Sequence, residues 1–166
     1  MRGRGLFGKF QLFWVGVFLF VAFVLSTTAG DRRPLKPSPR DKCAVCGMFV
    51  AKYPDFLAQI VFKDGSALFF DGTKDMFKCY LDLKKYHPAK SRSDIDSVYV
   101  NDYYGLVPVD GFKAVYVVGS DIYGPMGREL IPFEKEADAK EFMKDHKGQS
   151  MLKFTEVTLD VLKTLD

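Results

Sequence analysis

The chain has 166 residues, of which 48% are hydrophobic, with 24 Lys or Arg against 21 Asp or Glu for a net charge of +3. The excess sits at the start: up to Lys42 there are eight basic residues (2, 4, 9, 32, 33, 36, 40 and 42) against Asp31 and Asp41, and the remainder carries 16 basic against 19 acidic. A mildly acidic folded part lacks the basic face that nucleic-acid binding requires, so that class is excluded.

Arg2, Arg4 and Lys9 precede a nearly uninterrupted apolar run from Phe10 to Leu25, and the small residues Ser26, Thr27, Thr28, Ala29 and Gly30 follow it. This is the layout of an export signal, at a length bordering on a minimal membrane span of about 17 to 25 residues. Residues 1–30 therefore read as a signal peptide cleaved after Ala29 or as a retained single-span anchor. Either leaves the basic start in the cytoplasm and places the rest outside it, in the periplasm or on the outer face of the cytoplasmic membrane. Residues 31–42 read as a basic linker in which Pro34, Pro37 and Pro39 favour an extended backbone beside anionic headgroups, with a reach on the order of 30 Å.

Immediately after the linker comes Cys43-Ala44-Val45-Cys46-Gly47-Met48, three sulfurs within six residues. Thiolates and a thioether are the donors a soft ion prefers, Cu(I) first, whereas zinc completes a tetrahedron with thiolate and imidazole. The same two cysteines support other readings. In an oxidising compartment closely spaced thiols pair as a structural disulfide, and a two-residue spacing suits a thiol-disulfide oxidoreductase when it opens a helix. Here Gly47 interrupts helix formation.

Leu57 to Phe62 alternates and is rich in strand formers, Asp64-Gly65 is a hairpin turn, and Ala67 to Phe70 is the returning strand. From Thr73 to Lys85 the pattern becomes helical, with Met76, Cys79, Tyr80 and Leu83 on one stripe and Asp71 as the expected N-cap; His87-Pro88 closes the helix. Val98 to Val100 adds a strand, so residues 43–101 read as a first ββαβ lobe.

Residues 102–166 repeat the order: strands over Phe112 to Val118 and Arg128 to Phe133, a helix over Glu134 to Asp145 with Ala139, Phe142, Met143 and His146 on its stripe, and a strand over Met151 to Val157. A short helix through Leu159 to Leu162 ends the chain. Matching Leu68-Phe69-Phe70-Asp71 with Ile131-Pro132-Phe133-Glu134 predicts two related ββαβ lobes packed together, an α+β fold.

Between the first two strands of the second lobe lies Gly124-Pro125-Met126-Gly127, a loop whose large thioether has few packing partners of its own; a gap-filling methionine is the plain alternative for Met126 and for Met48. Cys79 reads as a buried apolar residue of the helix stripe, and His87 and His146 as structural. No nucleophile elbow, phosphate loop, zinc-protease motif or conspicuous carboxylate pair is present, so no enzyme is expected.

Taken in order, Cys46-Gly47-Met48, Val100-Asn101-Asp102-Tyr103, the run from Ala114 to Ser120, Pro125-Met126-Gly127 and Phe133 with its helix containing Ala139 and Phe142 resemble the NosL family of nitrous-oxide-reductase accessory proteins over residues 43 to 157. The resemblance implies an exported, membrane-attached copper chaperone that binds Cu(I) and helps supply nitrous oxide reductase, on a fold of two ββαβ lobes similar to the organomercurial lyase core. Carried over residue by residue, it implies Cys46 and Met126 as copper ligands with Met48 nearby. Two departures stand out: no lipobox cysteine lies between Leu25 and Lys42, which favours a helical anchor over a lipid, and Cys43 adds a thiol beside the family's Cys-Gly-Met.

Overall fold

The computed structural model describes residues 33–166, which lie within one compact unit; the predicted signal or anchor of residues 1–30 lies outside the described residues. Among the described residues no helix is long and apolar enough to cross a membrane.

The first sheet has the order β2-β1-β3-β4, built from β1 (Ala58–Phe62), β2 (Ala67–Phe70), β3 (Ile95–Asn101) and β4 (Pro108–Asp110), all neighbours antiparallel. β1 is buried along its whole length, as a central strand covered on both faces must be. Its hairpin turn is the expected one, with Gly65 at φ +88° and Asp64 accepting the Ser66 amide, a conformation that costs glycine nothing. Between β2 and β3 come α1 (Thr73–Leu81) and α2 (Leu83–Tyr86). The pattern predicted one helix to Lys85; the chain breaks at Asp82, whose carboxylate caps the Lys85 amide and starts a new turn. α2 ends at its C-cap His87, whose φ −148° and ψ 72° lie outside the α region that a following proline disfavours.

The second sheet has the order β8-β5-β9, from β5 (Val115–Val118), β8 (Ile131–Phe133) and β9 (Ser150–Lys153), with α3 (Glu136–Asp145) between β8 and β9. Its topology repeats the first: a central leading strand, flanked by its hairpin partner and by the strand that follows the helix. The two ββαβ units expected from the sequence are present. The predicted strands are shorter than expected. Asp110 folds a turn by accepting Lys113 and Ala114 amides, which delays β5. After β9 a 3-10 turn over Phe154–Glu156 sends Phe154 against Phe77 and Tyr80, at ring separations of 4.8 Å for each. The span read as one strand from Arg128 is interrupted at Glu129 and Leu130, and a small hairpin, β6 (Tyr123–Gly124) and β7 (Gly127–Arg128), precedes the break.

β5 lies between two apolar layers. Tyr116 and Val118 belong to the main core with β1, β3 and α1, and Val117 packs with Phe133, Ala139 and Phe142 beneath α3. Phe77 of α1 meets Tyr116 edge to face at 5.0 Å, and the final helix, α4 (Leu159–Lys163), buries Leu162 in the same core. α1 is thus enclosed between the sheets, with Thr73 through Phe77 all buried. The proline-rich segment joins the fold sooner than a free linker would. Leu35 gives its amide to the buried Gln59 side chain at 2.8 Å and accepts from it at 3.2 Å, which satisfies a polar group inside β1.

A thiol and carboxylate cluster at the start of α1

The segment from Cys43 to Met48 folds as a tight knuckle. The Cys43 amide donates to Met48 O at 2.8 Å, the Gly47 amide returns to Cys43 O at 3.0 Å, and Gly47 takes φ +80°, the left-handed geometry that the turn demands. The Ala44 amide binds Phe69 O at 3.2 Å, fastening the knuckle to β2. It therefore lies beside the point where β2 gives way to α1, and it is not the N-terminus of a helix.

Both thiols meet carboxylates there. Cys46 Sγ donates to Asp71 Oδ1 at 3.2 Å and Cys43 Sγ to Asp75 Oδ2 at 3.3 Å. One ligand atom from each of the four residues lies within 4.8 Å of all the others. Cys43, Asp71 and Asp75 are buried and Cys46 is half-buried, and all three cysteines of the chain are free thiols. Burial pushes the Cys46 thiol up to about 11 and the Cys43 thiol higher still, with carboxylate hydrogen bonding adding to each. Both stay protonated at neutral pH until something displaces the proton.

Asp71 was expected as the N-cap of α1. The cap residue is instead Gly72, with no side-chain cap of its own, and the Asp71 carboxylate is turned to Cys46. The buried amide of the first turn is answered from the segment between β7 and β8, where Glu129 Oε1 accepts from the backbone of Lys74 and also from Leu130 at 2.9 Å. A cap is worth about 1 kcal/mol, and supplying it from Glu129 leaves Asp71 available to the thiols. Glu129 is wholly buried, which pushes its carboxyl up to about 8. Its packing leaves no room for side chains at two glycines: a Cβ on Gly72 would fall 2.2 Å from Glu129 Oε2, and one on Gly124 would fall 3.0 Å from it.

The same contacts hold the β6–β7 hairpin. The buried Lys74 ammonium donates to Met126 O at 2.9 Å and to Leu165 O at 3.1 Å. Met126 stands at the hairpin tip with its residue 45% exposed, while Met48 is half-buried with Tyr53 Oη 3.9 Å from its sulfur. The structure thus brings Cys43 and Cys46 together, and the Met126 turn is fastened to the helix end that supplies Asp71 and Asp75. Cys79 is fully buried in α1 and is not part of the four-residue cluster, and burial pushes it up to about 12. His87 packs on Phe62, and His146 stacks on Phe142 and bonds Asp121, both in structural surroundings.

Asp71, Asp75, Glu129 and Lys74 were not singled out as site residues. Asp71 precedes α1 and Asp75 lies in its first turn, and their spacing of four residues is the signal available in the sequence. It has little meaning without the tertiary contacts that bury them.

Comparison with known proteins places these features in a family. The NosL family model matches residues 34–162. A curated relative from Stutzerimonas stutzeri, named a copper-binding lipoprotein NosL, is 34% identical over 131 residues, covering 74% of this chain and 65% of that protein's length. A crystal structure described as the copper chaperone NosL from Shewanella denitrificans superposes with a TM-score of 0.65 at 24% identity, covering 77% of this chain and 97% of that one, which establishes the shared fold. A family model that spans most of the chain, with a relative 34% identical over 131 residues beside it, leads to one statement: the chain belongs to the NosL family.

Proposed function

We propose that this protein is an exported, membrane-tethered copper chaperone that carries one Cu(I) and hands it to an extracytoplasmic copper enzyme such as nitrous oxide reductase. The observation that carries the proposal is the preassembled Cys43 and Cys46 knuckle beside a hairpin that presents Met126. Family membership and the copper-binding name of the Stutzerimonas stutzeri relative support it.

In this reading Cys46 supplies most of the affinity as a thiolate, Met126 adds a soft donor from the β6–β7 hairpin, and Met48 or Cys43 serves as the exchangeable ligand. Cu(I) is cargo: a low coordination number leaves room for a client's donor to enter before the carrier's last donor leaves. Loading releases the thiol proton to solvent as the S–Cu bond forms, so apparent affinity rises with pH while the thiol remains protonated in the free protein.

A thiol-disulfide oxidoreductase using Cys43 and Cys46 is the competing reading. Such enzymes lower a thiol pKa with a helix N-terminus or a nearby cation, whereas these thiols lie in a turn, face carboxylates and are pushed upward. The deciding experiment titrates the reduced protein with Cu(I) against a competing chelator without oxygen. Tight one-to-one binding that Met126→Leu weakens by about tenfold agrees with a thioether ligand. Absence of binding above the chelator overturns the copper reading.

A further inference from the structure

The proline-rich segment and the loop before β4 border a cleft of about 400 Å³, lined by Pro34, Leu35, Pro37, Leu57, Leu106 and Pro108 among others. Leu35 and Leu106 are 40% and 55% exposed there, and the neighbouring Val107 is 52% exposed. Large apolar side chains gathered at one cleft mark a contact surface, whereas scattered ones do not. The loop that presents them is firmly built. Asp102 accepts the Gly105 amide on its carboxylate at 2.6 Å and the Leu106 amide on its carbonyl at 2.9 Å, and donates its own amide to Val107 O at 2.9 Å. Leu106 is held at φ +53°, a left-handed geometry that costs a non-glycine residue free energy and persists only where its surroundings fix it.

Chain length and charge indicate what covers this face. Counted from Phe10, a membrane span of about 20 residues ends at Ala29. The segment after it is fastened to the fold already at Leu35, through the two hydrogen bonds with Gln59, and the residues from Ala29 to Leu35 reach no more than about 20 Å. The apolar face is thereby kept near the bilayer surface. Residues 33–57 carry Arg33, Lys36, Arg40, Lys42 and Lys52 against Asp41 and Asp55, whereas residues 58–166 carry 15 basic against 18 acidic. The positive charge of the folded part is thus gathered in the segment that borders the cleft, where anionic headgroups attract it. Lys42 and Lys52 also stand over the exposed Phe49 ring, at 5.2 and 5.9 Å.

We propose that this cleft is a membrane-docking face: Leu35, Leu106 and Val107 enter the boundary between headgroups and acyl chains of an anionic bilayer, and Arg33, Lys36 and Arg40 meet its headgroups. The inference rests on the membrane-tethered reading of the protein and adds an orientation to it. A tether alone leaves the folded part free to turn. The cleft includes Val50 and Ala51, which closely follow the Cys43–Met48 knuckle, so docking fixes how the knuckle is presented to a client at the same membrane.

The test reads the depth of an indole. Trp14 is the one tryptophan of the chain, so Trp14→Phe combined with Leu106→Trp, or with Leu159→Trp on α4 outside the cleft, leaves a single reporter at an exposed position. The full chain is reconstituted from detergent into vesicles of phosphatidylglycerol and phosphatidylcholine, with and without acyl-brominated lipid. A side chain seated about 5 to 10 Å into the boundary lies within reach of the bromines, so the indole at position 106 should lose about half of its emission and the one at position 159 less than about a tenth. Vesicles of phosphatidylcholine alone should quench position 106 less. Equal quenching at the two positions, or none at position 106, overturns the docking face. Shielding of position 106 from aqueous acrylamide without quenching by bromine would assign the face to a protein partner and overturn the lipid reading. Chains that float with the vesicles and leave position 106 unquenched refute the docking and keep the tether, whereas chains that do not float refute both.

Discussion

The two helix starts, one in each ββαβ unit, occupy equivalent places in the repeated topology, and both are acidic. At α1 the sequence is Asp71-Gly72-Thr73-Lys74-Asp75, and at α3 it is Glu134-Lys135-Glu136-Ala137-Asp138. The first is buried throughout and the second is largely exposed. α1 is covered by the knuckle, the second sheet and the β6–β7 hairpin, while Glu136 at α3 pairs with Lys140 in solvent at 2.7 Å. Even the way each backbone is satisfied is parallel: Glu129 accepts the Lys74 amide, and Asp102 accepts the Glu134 amide at 2.8 Å. An acidic helix start interacts more strongly with its neighbours when the layers around it exclude water, because charge interactions strengthen as the dielectric falls.

Perturbations at the buried start should therefore be large, and those at the exposed start small. The largest expected effect is on Cu(I) binding, where Cys46→Ser should cost about 100-fold or more, roughly 2.7 kcal/mol, while Cys79→Ser, deep in α1, changes affinity by less than about threefold. Chelator competition measures both, and equal losses would point to damage to the scaffold instead of a lost ligand. Next, Gly72→Ala places a Cβ against the Glu129 carboxylate and should destabilise the protein by about 1 to 3 kcal/mol, read in urea unfolding. The equivalent change at the other helix, Lys135→Ala, meets solvent and should leave the urea midpoint where it is.

A further effect concerns pH. The Glu129 carboxyl is pushed up to about 8 from an ordinary 4.5, chiefly by burial. Below pH 4.5 both folded and unfolded chains hold this proton; between about 4.5 and 8 only the folded chain holds it, so its contribution to stability falls as pH rises; above 8 the loss is complete. Glu129→Gln keeps an acceptor for the Lys74 and Leu130 amides without the charge. The stability of the native chain relative to this variant should decline from pH 5 to pH 8, and a flat difference would place the carboxyl in the ordinary range. The smallest effect belongs to Glu136→Gln, which removes an exposed ion pair and should shift neither the melting temperature nor metal affinity measurably.

Comparing the strand connections gives a second contrast. β1 reaches β2 through a tight turn at Asp64 and Gly65, whereas β5 reaches β8 through residues 119–130, an excursion that forms β6 and β7 and carries Met126. The same topology, given a longer connection, brings a thioether-bearing tip to the opposite unit through Lys74 and Met126 O.

The local patterns were sufficient for much of this. Alternation and the Asp64-Gly65 turn specified the first hairpin, the spacing of Met76 and Cys79 specified the buried stripe of α1, and the knuckle read as a soft-metal site, because periodicity, turn geometry and donor chemistry are properties of short segments. Only the tertiary structure decided that Asp71 turns from capping to face Cys46, that Asp75 joins Cys43, and that Glu129 supplies the missing cap from 55 residues away. Those outcomes depend on which surfaces exclude water from one another, and a carboxylate's role changes with burial in a way that its place in the chain does not record.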